Sequence, residues 1–188
     1  VSNEIKRSSI LKMPVVTVSV VSAETENIVF EDEVMKELCV KAFDTNGDGE
    51  LSYTEAAAVT DLSKMTLTRR TFKTFNEFQY FTSVKTVPSE YFYNCSSLTS
   101  INIPESVTSI GEYTFQDCSG LTSINIPKGV TSIRSNTFYG CSSLTSISIP
   151  ESVTSIGSST FSGCSSLTSI SMPESVTSIG EGAFSGCS

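Results

Sequence analysis

Histidine and tryptophan are both absent from this chain of 188 residues. Without histidine, the chain lacks the commonest general base of enzymes and the commonest side-chain ligand of transition metals. Serine is abundant, but no histidine accompanies it and no Ser–Lys arrangement stands out that could activate it as a nucleophile. Without tryptophan, the chain lacks the largest aromatic surface for stacking on a sugar. These absences predict that the protein is not an enzyme, and they weaken a glycan-binding interpretation.

Basic residues and long apolar runs are also scarce. The chain has 12 Lys and Arg against 20 Asp and Glu, a net charge of −8, with no basic stripe. A nucleic-acid partner is therefore not expected, because phosphate binding requires clustered cations. The longest apolar run, residues 15–21, is interrupted by Thr17 and Ser19. It is far shorter than the roughly 20 residues of a membrane-spanning helix, so no such segment is predicted.

What the chain has in abundance is repetition. Cys95, Cys118, Cys141, Cys164 and Cys187 recur at one constant interval, with the unit L-x-x-I-x-I-P-x-x-V-x-x-I-x-x-x-x-F-x-x-C between them. A period of this length indicates stacked coils, each of which buries its apolar residues only against its neighbours. Within each coil, L-x-x-I-x-I predicts a short parallel strand that ends at proline. The following V-x-x-I predicts a second extended stretch.

The repeat divides the chain into three parts. We interpret residues 1–27 as an N-terminal tail or edge strand, residues 28–66 as a helical cap and residues 67–188 as the repeats. Shifting the columns back by one period predicts a degenerate first coil with Phe75, Phe78 and Tyr80 at the strand positions. Large aromatic residues suit a coil that must face a cap. The coils are coil 1 (72–94), coil 2 (95–117), coil 3 (118–140), coil 4 (141–163) and coil 5 (164–186).

The last coil is followed by no polar capping repeat. Its strands are therefore expected to leave an open and partly apolar edge. Such an edge would meet either further chain that this sequence lacks or another molecule. End-to-end self-association is accordingly one expectation.

The units resemble the BspA-like leucine-rich repeats, also called the Treponema pallidum type. The motif C-S-S-L-T-S-I-x-I-P-E-S-V-T-S-I-G-x-x-x-F-x-G-C matches from Cys95 to Cys118 and again in each later copy, over roughly residues 72–188. The resemblance implies an α/β solenoid of 23-residue coils with a parallel sheet on its concave side. Members are commonly surface-exposed or secreted proteins of bacteria such as Bacteroides, and some are adhesins. An extracellular or cell-surface location and a role in adhesion are therefore implied.

A second motif lies in the cap. Residues 44–55, DTNGDGELSYTE, fit the EF-hand loop D-x-[DN]-x-[DN]-G-x₅-E, and both flanks have helical spacing. Hard oxygen ligands at these offsets suit a structural calcium ion, bound weakly, at about 10⁻⁴–10⁻³ M. The sequence predicts a single EF-hand or half of a dockerin-like pair, and the alternative is a metal-free acidic turn. The predicted ligands are Asp44, Asn46, Asp48 and Glu55 through their side chains and Glu50 through its backbone carbonyl.

The cysteines are expected to be buried free thiols. Stacked strands lie about 4.8 Å apart with the side chains of one column parallel, which is a poor geometry for disulfides between neighbours. No histidine or second cysteine column completes a zinc site. Cys39, in the first cap helix, is interpreted in the same way.

A partner is expected on the concave sheet, where small polar side chains alternate with inward-facing isoleucines. We predict a non-enzymatic recognition module for host or cell-surface proteins, with a glycan-binding module or a structural spacer as alternatives. The opposing interpretation is a merely solvated face, because the aromatic and arginine anchors of binding hot spots are missing there. The predicted binding residues are Ser100, Asn102, Ser123, Asn125, Ser146, Ser148, Ser169 and Ser171.

Overall fold

The computed structural model describes residues 26–187. The edge strand that we predict within residues 13–21 therefore lies outside the described residues. The described chain begins with two helices, α1 (Glu33–Phe43) and α2 (Tyr53–Ala58), and continues with short strands and one 3₁₀ helix (Asn76–Tyr80). No helix in this part of the chain is long and apolar enough to cross a bilayer.

The first helix starts and ends where its residues dictate. Asp32 caps it, because its side chain accepts the N–H groups of Val34 and Met35, two of the donors that lack partners in a first turn. Met35, Cys39 and Phe43, spaced at i, i+4 and i+8, form its buried face. The cap therefore packs through one apolar stripe.

The second helix is held by a capping box. Ser52 accepts the N–H of Glu55, and the Glu55 side chain accepts the N–H of Ser52. This reciprocal pair fixes the first turn of a helix of only 6 residues, which buries Ala56. The acidic loop thus lies between two defined helix ends.

The strands are two or three residues long and form two parallel sets, with isoleucine inward and serine outward in the strands of coils 2 to 4. What we call the first sheet contains β1 (Thr74–Phe75), β3 (Ser100–Ile101), β5 (Ser123–Asn125) and β7 (Ser146–Ser148). The second sheet contains β2 (Thr86–Val87), β4 (Ser109–Ile110), β6 (Ser132–Ile133), β8 (Ser155–Ile156) and β9 (Ser178–Ile179).

The register confirms that one repeat is one coil of a stack. Ser123 lies opposite Ser146 and Ser132 opposite Ser155, each pair parallel and one period apart. The predicted repeat fold with parallel strands is therefore confirmed.

Coil 1 departs from the predicted register. Phe75 lies opposite Ile101, whereas a shift by one period predicts Phe78 there, and that prediction is wrong. The reason is the 3₁₀ helix Asn76–Tyr80, which places three extra residues between the two strands of this coil. Beyond the helix the period is restored, since Val87 lies opposite Ile110.

A third side, which we call the turn side, closes each coil. It has a ladder of buried phenylalanine rings, with Phe115 and Phe138 5.5 Å apart and 4° from parallel. On this side the N–H of an earlier coil donates to a carbonyl of the next, as from Phe115 to Thr137 at 2.9 Å. On the sheets the direction is reversed, as from Thr145 to Thr122 at 3.0 Å. Hydrogen bonds between coils therefore run in both directions along the stack.

The aromatic residues of coil 1 meet the cap, as expected of a first coil. Phe81 contacts Phe43 edge to face, with ring centres 5.6 Å apart. Two polar contacts join the same surfaces: the N–H of Lys73 donates to Asp32 at 2.7 Å, and the N–H of Glu31 donates to Glu77 at 3.0 Å. Cap and repeats thus share one core.

Coil 5 is less buried than the coils before it. Ile179 is 52% exposed, whereas Ile156 in the preceding coil is 2% exposed. The last coil therefore presents a partly apolar surface, and self-association through it stays a prediction.

Candidate functional site

The structure brings the predicted binding residues together on the outer face of the first sheet. Ser123 lies opposite Ser146 and Asn125 opposite Ser148, and Ser148 bridges to Ser171. The face is open to solvent, since seven of its members are exposed and one is half-buried. The members are Ser100, Asn102, Ser123, Asn125, Ser146, Ser148, Ser169 and Ser171.

A groove at the cap end of this face includes residues that the repeat pattern does not predict. It has a volume of about 710 Å³, and Asn102 and Asn125 line it together with Gln79, Thr82 and Glu105. Gln79 lies in the 3₁₀ helix of coil 1, and Thr82 lies two residues after its end. Because this helix interrupts the period, the repeat pattern does not predict the positions of these two residues. The aromatic, irregular composition of coil 1 is the only signal of them in the sequence. A shallower cavity of about 390 Å³ runs along the strands themselves.

The second sheet has a cavity that sequence reasoning misses. It has a volume of about 460 Å³ and is lined mainly by serines, with Glu112 and Arg134 as its charged residues. Arg134 is the signal of this cavity in the sequence, because it replaces a glycine found in coils 2, 4 and 5.

Coil 2 and coil 3 are joined more loosely than their neighbours. Within residues 26–187, neither β3 and β5 nor β4 and β6 are paired, although the sheets continue on both sides of this junction. The bond from Thr122 N–H to the Thr99 carbonyl is 3.3 Å, against 3.0 Å for the equivalent bond of Thr145. On the first sheet this loose junction separates Asn102 from Asn125.

Arg134 accounts for the loose junction. An added Cβ at Gly157 would lie 2.4 Å from the backbone nitrogen of Ser135, and one at Gly111 would lie 2.3 Å from that of Ser89. These glycines are not in the left-handed region. Close approach of the preceding coil, and not φ, requires glycine there. Arg134 has a Cβ at the same place in coil 3, so coils 2 and 3 cannot approach as closely.

The acidic loop is held at its start by its own glycines. Asp44 accepts the N–H of Gly47 at 2.7 Å and that of Gly49 at 3.0 Å through its two oxygens. Gly47 and Gly49 have φ of +75° and +84°, the left-handed conformation that glycine adopts most readily. The loop therefore turns sharply at Gly47 and Gly49.

Glu55 ties the end of the loop to its beginning. Its carboxylate accepts the N–H of Thr45 at 2.8 Å, of Asn46 at 3.2 Å and of Ser52 at 3.0 Å. Burial opposes ionisation, but hydrogen bonds from Ser52 and Thr45 outweigh it and lower the pKa of Glu55 to about 2. The group is therefore charged at neutral pH.

The loop carboxylates satisfy protein N–H groups in this conformation. Among the described residues, no group of three or more His, Cys, Asp or Glu is gathered as a metal site. The Glu50 side chain pairs with Lys36 at 2.9 Å, which leaves the Glu50 backbone carbonyl as the predicted ligand. All predicted ligands offer oxygen, the donor that Ca²⁺ prefers.

The cysteines lie as predicted, as free thiols that are buried except for the half-buried Cys187. From Cys118 onward each repeat thiol donates to the carbonyl of a phenylalanine 26 residues earlier, as Cys118 does to Phe92 at 3.1 Å, and Cys95 donates to the Leu67 carbonyl at 3.0 Å. Burial raises the pKa of Cys95 to about 11 and that of Cys164 to about 12. The thiols therefore stay protonated at neutral pH and are poor nucleophiles.

This geometry, short parallel strands repeated once per period around a shared core, defines a leucine-rich repeat protein. A family profile described as "BspA type Leucine rich repeat region" matches residues 85–188 in six copies. The match covers more than half of the chain, which therefore belongs to this family. Repeats of the family are typically binding modules and not enzymes. No curated protein sequence matches the chain.

Two solved structures are similar to the repeats. The leucine-rich repeat protein of Treponema pallidum is 41% identical with a TM-score of 0.54, over 55% of this chain and 49% of that one. A leucine-rich repeat protein from Bacteroides ovatus is 44% identical with a TM-score of 0.52, over 54% of this chain and 26% of that one. The match thus spans about half of the first relative and about a quarter of the second.

Proposed function

We propose that this chain is a non-enzymatic recognition module of an extracellular or cell-surface protein, and that it binds proteins through the first sheet. The groove at the cap end of that sheet carries the proposal. Three amide side chains, of Gln79, Asn102 and Asn125, line it with the Glu105 carboxylate. Amides both donate and accept hydrogen bonds, so the groove suits the peptide groups and polar side chains of a partner. The surface association typical of BspA-type repeats supports the location.

Binding to immobilised chain, measured by surface plasmon resonance in calcium-containing buffer, tests the proposal. The analytes are host matrix proteins, mucins and free glycans. The variant Asn102→Arg, Asn125→Arg, Ser148→Arg should lose at least about tenfold in affinity for a protein that the parent binds. The matched control places the same three charges on exposed threonines of the second sheet: Thr108→Arg, Thr131→Arg, Thr154→Arg. The control should bind like the parent.

The outcomes separate the alternatives. Loss in the first-sheet variant only places the site on that face. Equal binding by the parent and both variants contradicts the first sheet as the site. Binding of mucins and glycans but no protein favours the glycan alternative, and no binding at all favours the spacer.

The acidic loop supports a subordinate proposal, that a calcium ion stabilises the cap. Glu55, the last loop residue, already lies against Thr45 and Asn46 at the start of the loop, so the two ends that would share the ion are together. The ion would offset the crowded negative charge of this loop. The residues that would hold it are Asp44, Asn46, Asp48 and Glu55 through their side chains and Glu50 through its carbonyl.

Calorimetric titration and thermal melting with calcium test this second proposal. We expect a dissociation constant of about 10⁻⁴–10⁻³ M and a calcium-dependent rise in melting temperature. Glu55→Gln should lose both effects. Glu50→Gln should keep them, because only the backbone of Glu50 would bind. Equal responses of the two variants would contradict the assignment.

The pH dependence of the calcium-free chain checks the role of Glu55 separately. Its pKa in the folded state is about 2, below the ordinary value of 4.5. Its contribution to stability is therefore present above the ordinary pKa and is lost as the pH falls through the folded value. Melting temperatures should fall between about pH 5 and pH 2, and by less in Glu55→Gln than in the parent.

A further inference from the structure

Coils 4 and 5 show which surface residues the turn side needs in order to fold. Three positions of each coil lie at the surface of the turn side, and coils 4 and 5 have only serine and glycine there. These coils keep the hydrogen-bond ladder and the phenylalanine stack, so the scaffold requires nothing larger. From coil 1 to coil 5, the columns are Glu90, Tyr113, Asn136, Ser159 and Gly182; Tyr93, Gln116, Tyr139, Ser162 and Ser185; and Asn94, Asp117, Gly140, Gly163 and Gly186.

The first and third columns are left-handed in every coil, including Ser159 of coil 4, so a larger residue in either column is held in a backbone conformation that opposes it. Tyr113 has φ of +59° and Asp117 has φ of +58°, in the left-handed region. The next residues in the Asp117 column are glycines, which adopt this region without a Cβ penalty. A bulky aromatic residue in this region is an outlier, and such strain is concentrated at functional sites. Tyr113 and Asp117 therefore make the free energy of folding less favourable than glycine would at the same positions.

Two exposed tyrosines lie on adjacent coils of the turn side. Tyr113 is 36% exposed and Tyr139 is 40% exposed. Gln116 lies in the same coil as Tyr113, and its N–H donates to the Tyr113 carbonyl at 3.1 Å. Tyr139 is the residue that follows Gln116 in the second column, one coil further along the stack. The N–H of Asp117 donates directly to the Tyr139 carbonyl at 2.7 Å. We call Tyr93, Tyr113, Tyr139, Glu112 and Asp117 the tyrosine patch.

Acidic groups surround the tyrosines. The N–H of Glu90 donates to the Glu112 carbonyl at 3.0 Å, so two exposed glutamates are neighbours on adjacent coils. In the described part of the chain the single ion pair joins Lys36 and Glu50, far from this surface. The carboxylates of Glu112 and Asp117 therefore form no ion pair within the described chain, although Arg134 lines a cavity together with Glu112 and the Gln116 side chain donates to Asp117 at 3.2 Å.

Arg69 shows which chemistry suits these rings. Its guanidinium lies over the ring of Tyr93, 5.6 Å from the ring centre, which is a cation–π contact. Tyr113 and Tyr139 present exposed rings with no such cation from the described chain. Tyrosine is also among the residues enriched at binding hot spots.

We propose that the tyrosine patch is a docking surface for a protein segment rich in arginine and lysine. Cationic side chains of the partner would stack on Tyr113 and Tyr139 and pair with Glu112 and Asp117. The proposal rests on the proposed function only in that the partner is a protein. The surface is different from the first sheet, so each can fail without the other.

The test replaces patch residues by those that coil 4 has at the same positions. Tyr113→Ser with Tyr139→Ser introduces the equivalents of Ser159 and Ser162 and should not lower the melting temperature. The probe is a short fluorescein-labelled peptide of alternating glycine and arginine, followed by fluorescence anisotropy. We expect the variant to bind about tenfold more weakly than the parent. The matched control, Val29→Ser with Val34→Ser, removes two exposed apolar side chains of the cap, outside both proposed surfaces, and should bind like the parent.

Four results would overturn the inference. They are equal affinity of parent and patch variant, no binding of the arginine peptide by the parent at millimolar concentration, equal binding of a peptide with glutamate in place of arginine, and loss of binding only in the cap control. The last result would leave the proposed function standing. Weaker binding by Asp117→Gly, with Glu151→Gln unchanged, would support the role of the patch carboxylates.

Discussion

The junction between coils 3 and 4 and the junction between coils 2 and 3 use the same consensus and differ in tightness. At the first, β5 pairs with β7 and β6 pairs with β8. At the second, the described strands of neither sheet pair. The turn side is continuous at both, with N–H to carbonyl distances of 2.9 Å from Phe115 and 3.0 Å from Phe138.

The difference shows which features hold a coil and which adjust it. The phenylalanine stack and the turn-side ladder keep coil 3 in place when both sheets open. The opening comes from departures confined to coil 3. Arg134 replaces a glycine, and Gly129 replaces a serine whose hydroxyl donates to the preceding coil, as Ser106 does to Val84 at 2.7 Å.

The largest effect is expected from removing what the two junctions share. Phe138 stacks on Phe115 and on Phe161 with ring centres 5.5 Å away on each side. Phe138→Ala should lower the free energy of unfolding by about 3–5 kcal/mol, because it leaves a cavity in a fully buried column. Urea denaturation measures this loss. An exposed change in the same region, Ser148→Ala, should change stability by less than about 0.5 kcal/mol, and a similar loss in both would contradict the stack as the main support.

A smaller effect should follow from forcing the tight junction open. In Gly157→Ala the new methyl group would lie 2.4 Å from the backbone nitrogen of Ser135, so coil 4 must shift. We expect a loss of about 1–3 kcal/mol, as for other overpacked sites. Arg134→Ala is the matched control, since coil 3 already accommodates a Cβ there, and it should be nearly neutral. Equal losses in the two variants would show that the Cβ does not set the spacing.

The reverse change should close the loose junction. Arg134→Gly with Gly129→Ser removes the Cβ and restores the serine hydroxyl. In coil 4 the equivalent hydroxyl, that of Ser152, donates to the Val130 carbonyl at 2.6 Å. We expect a gain of about 1 kcal/mol and slower hydrogen exchange of the amides of β6. Unchanged exchange would mean that the junction is open for another reason.

The smallest difference is expected at the thiols of the turn side. Cys141 and Cys164 each follow the end of a coil, since their N–H groups donate to Phe138 of coil 3 and Phe161 of coil 4. The Cys141 thiol reaches back across the loose junction to Phe115 of coil 2 at 3.1 Å, and the Cys164 thiol reaches back across the tight one to Phe138 at 3.2 Å. Because burial raises the pKa of both, alkylation should be slow and should differ by less than about twofold between them. Peptide mass spectrometry after iodoacetamide treatment measures the two rates. Much faster labelling of Cys141 would show that the junction is also open on the turn side.

Much of the fold could be predicted because a stack of coils depends on local, repeated contacts. Columns such as Val107 and Phe115 are buried in every interior coil, and the period of the sequence is the period of the strands. The candidate first-sheet face could be predicted for the same reason, since residues between inward-facing isoleucines must face outward. The shape of that face could not be predicted. Gln79 and Thr82 line its groove because of an insertion in coil 1 that breaks the period.

By itself, the sequence determined the repeat, its strands, its buried columns and the acidic loop between two helices. Each of these depends on residues that are neighbours along the chain or one period apart. The tertiary structure decided the loose junction, the groove at the cap and the tyrosine patch. These features depend on how closely one backbone can approach the next and on which side chains of different coils meet. The Cβ of Arg134 and the left-handed backbone of Tyr113 affect the surface only once the coils are stacked.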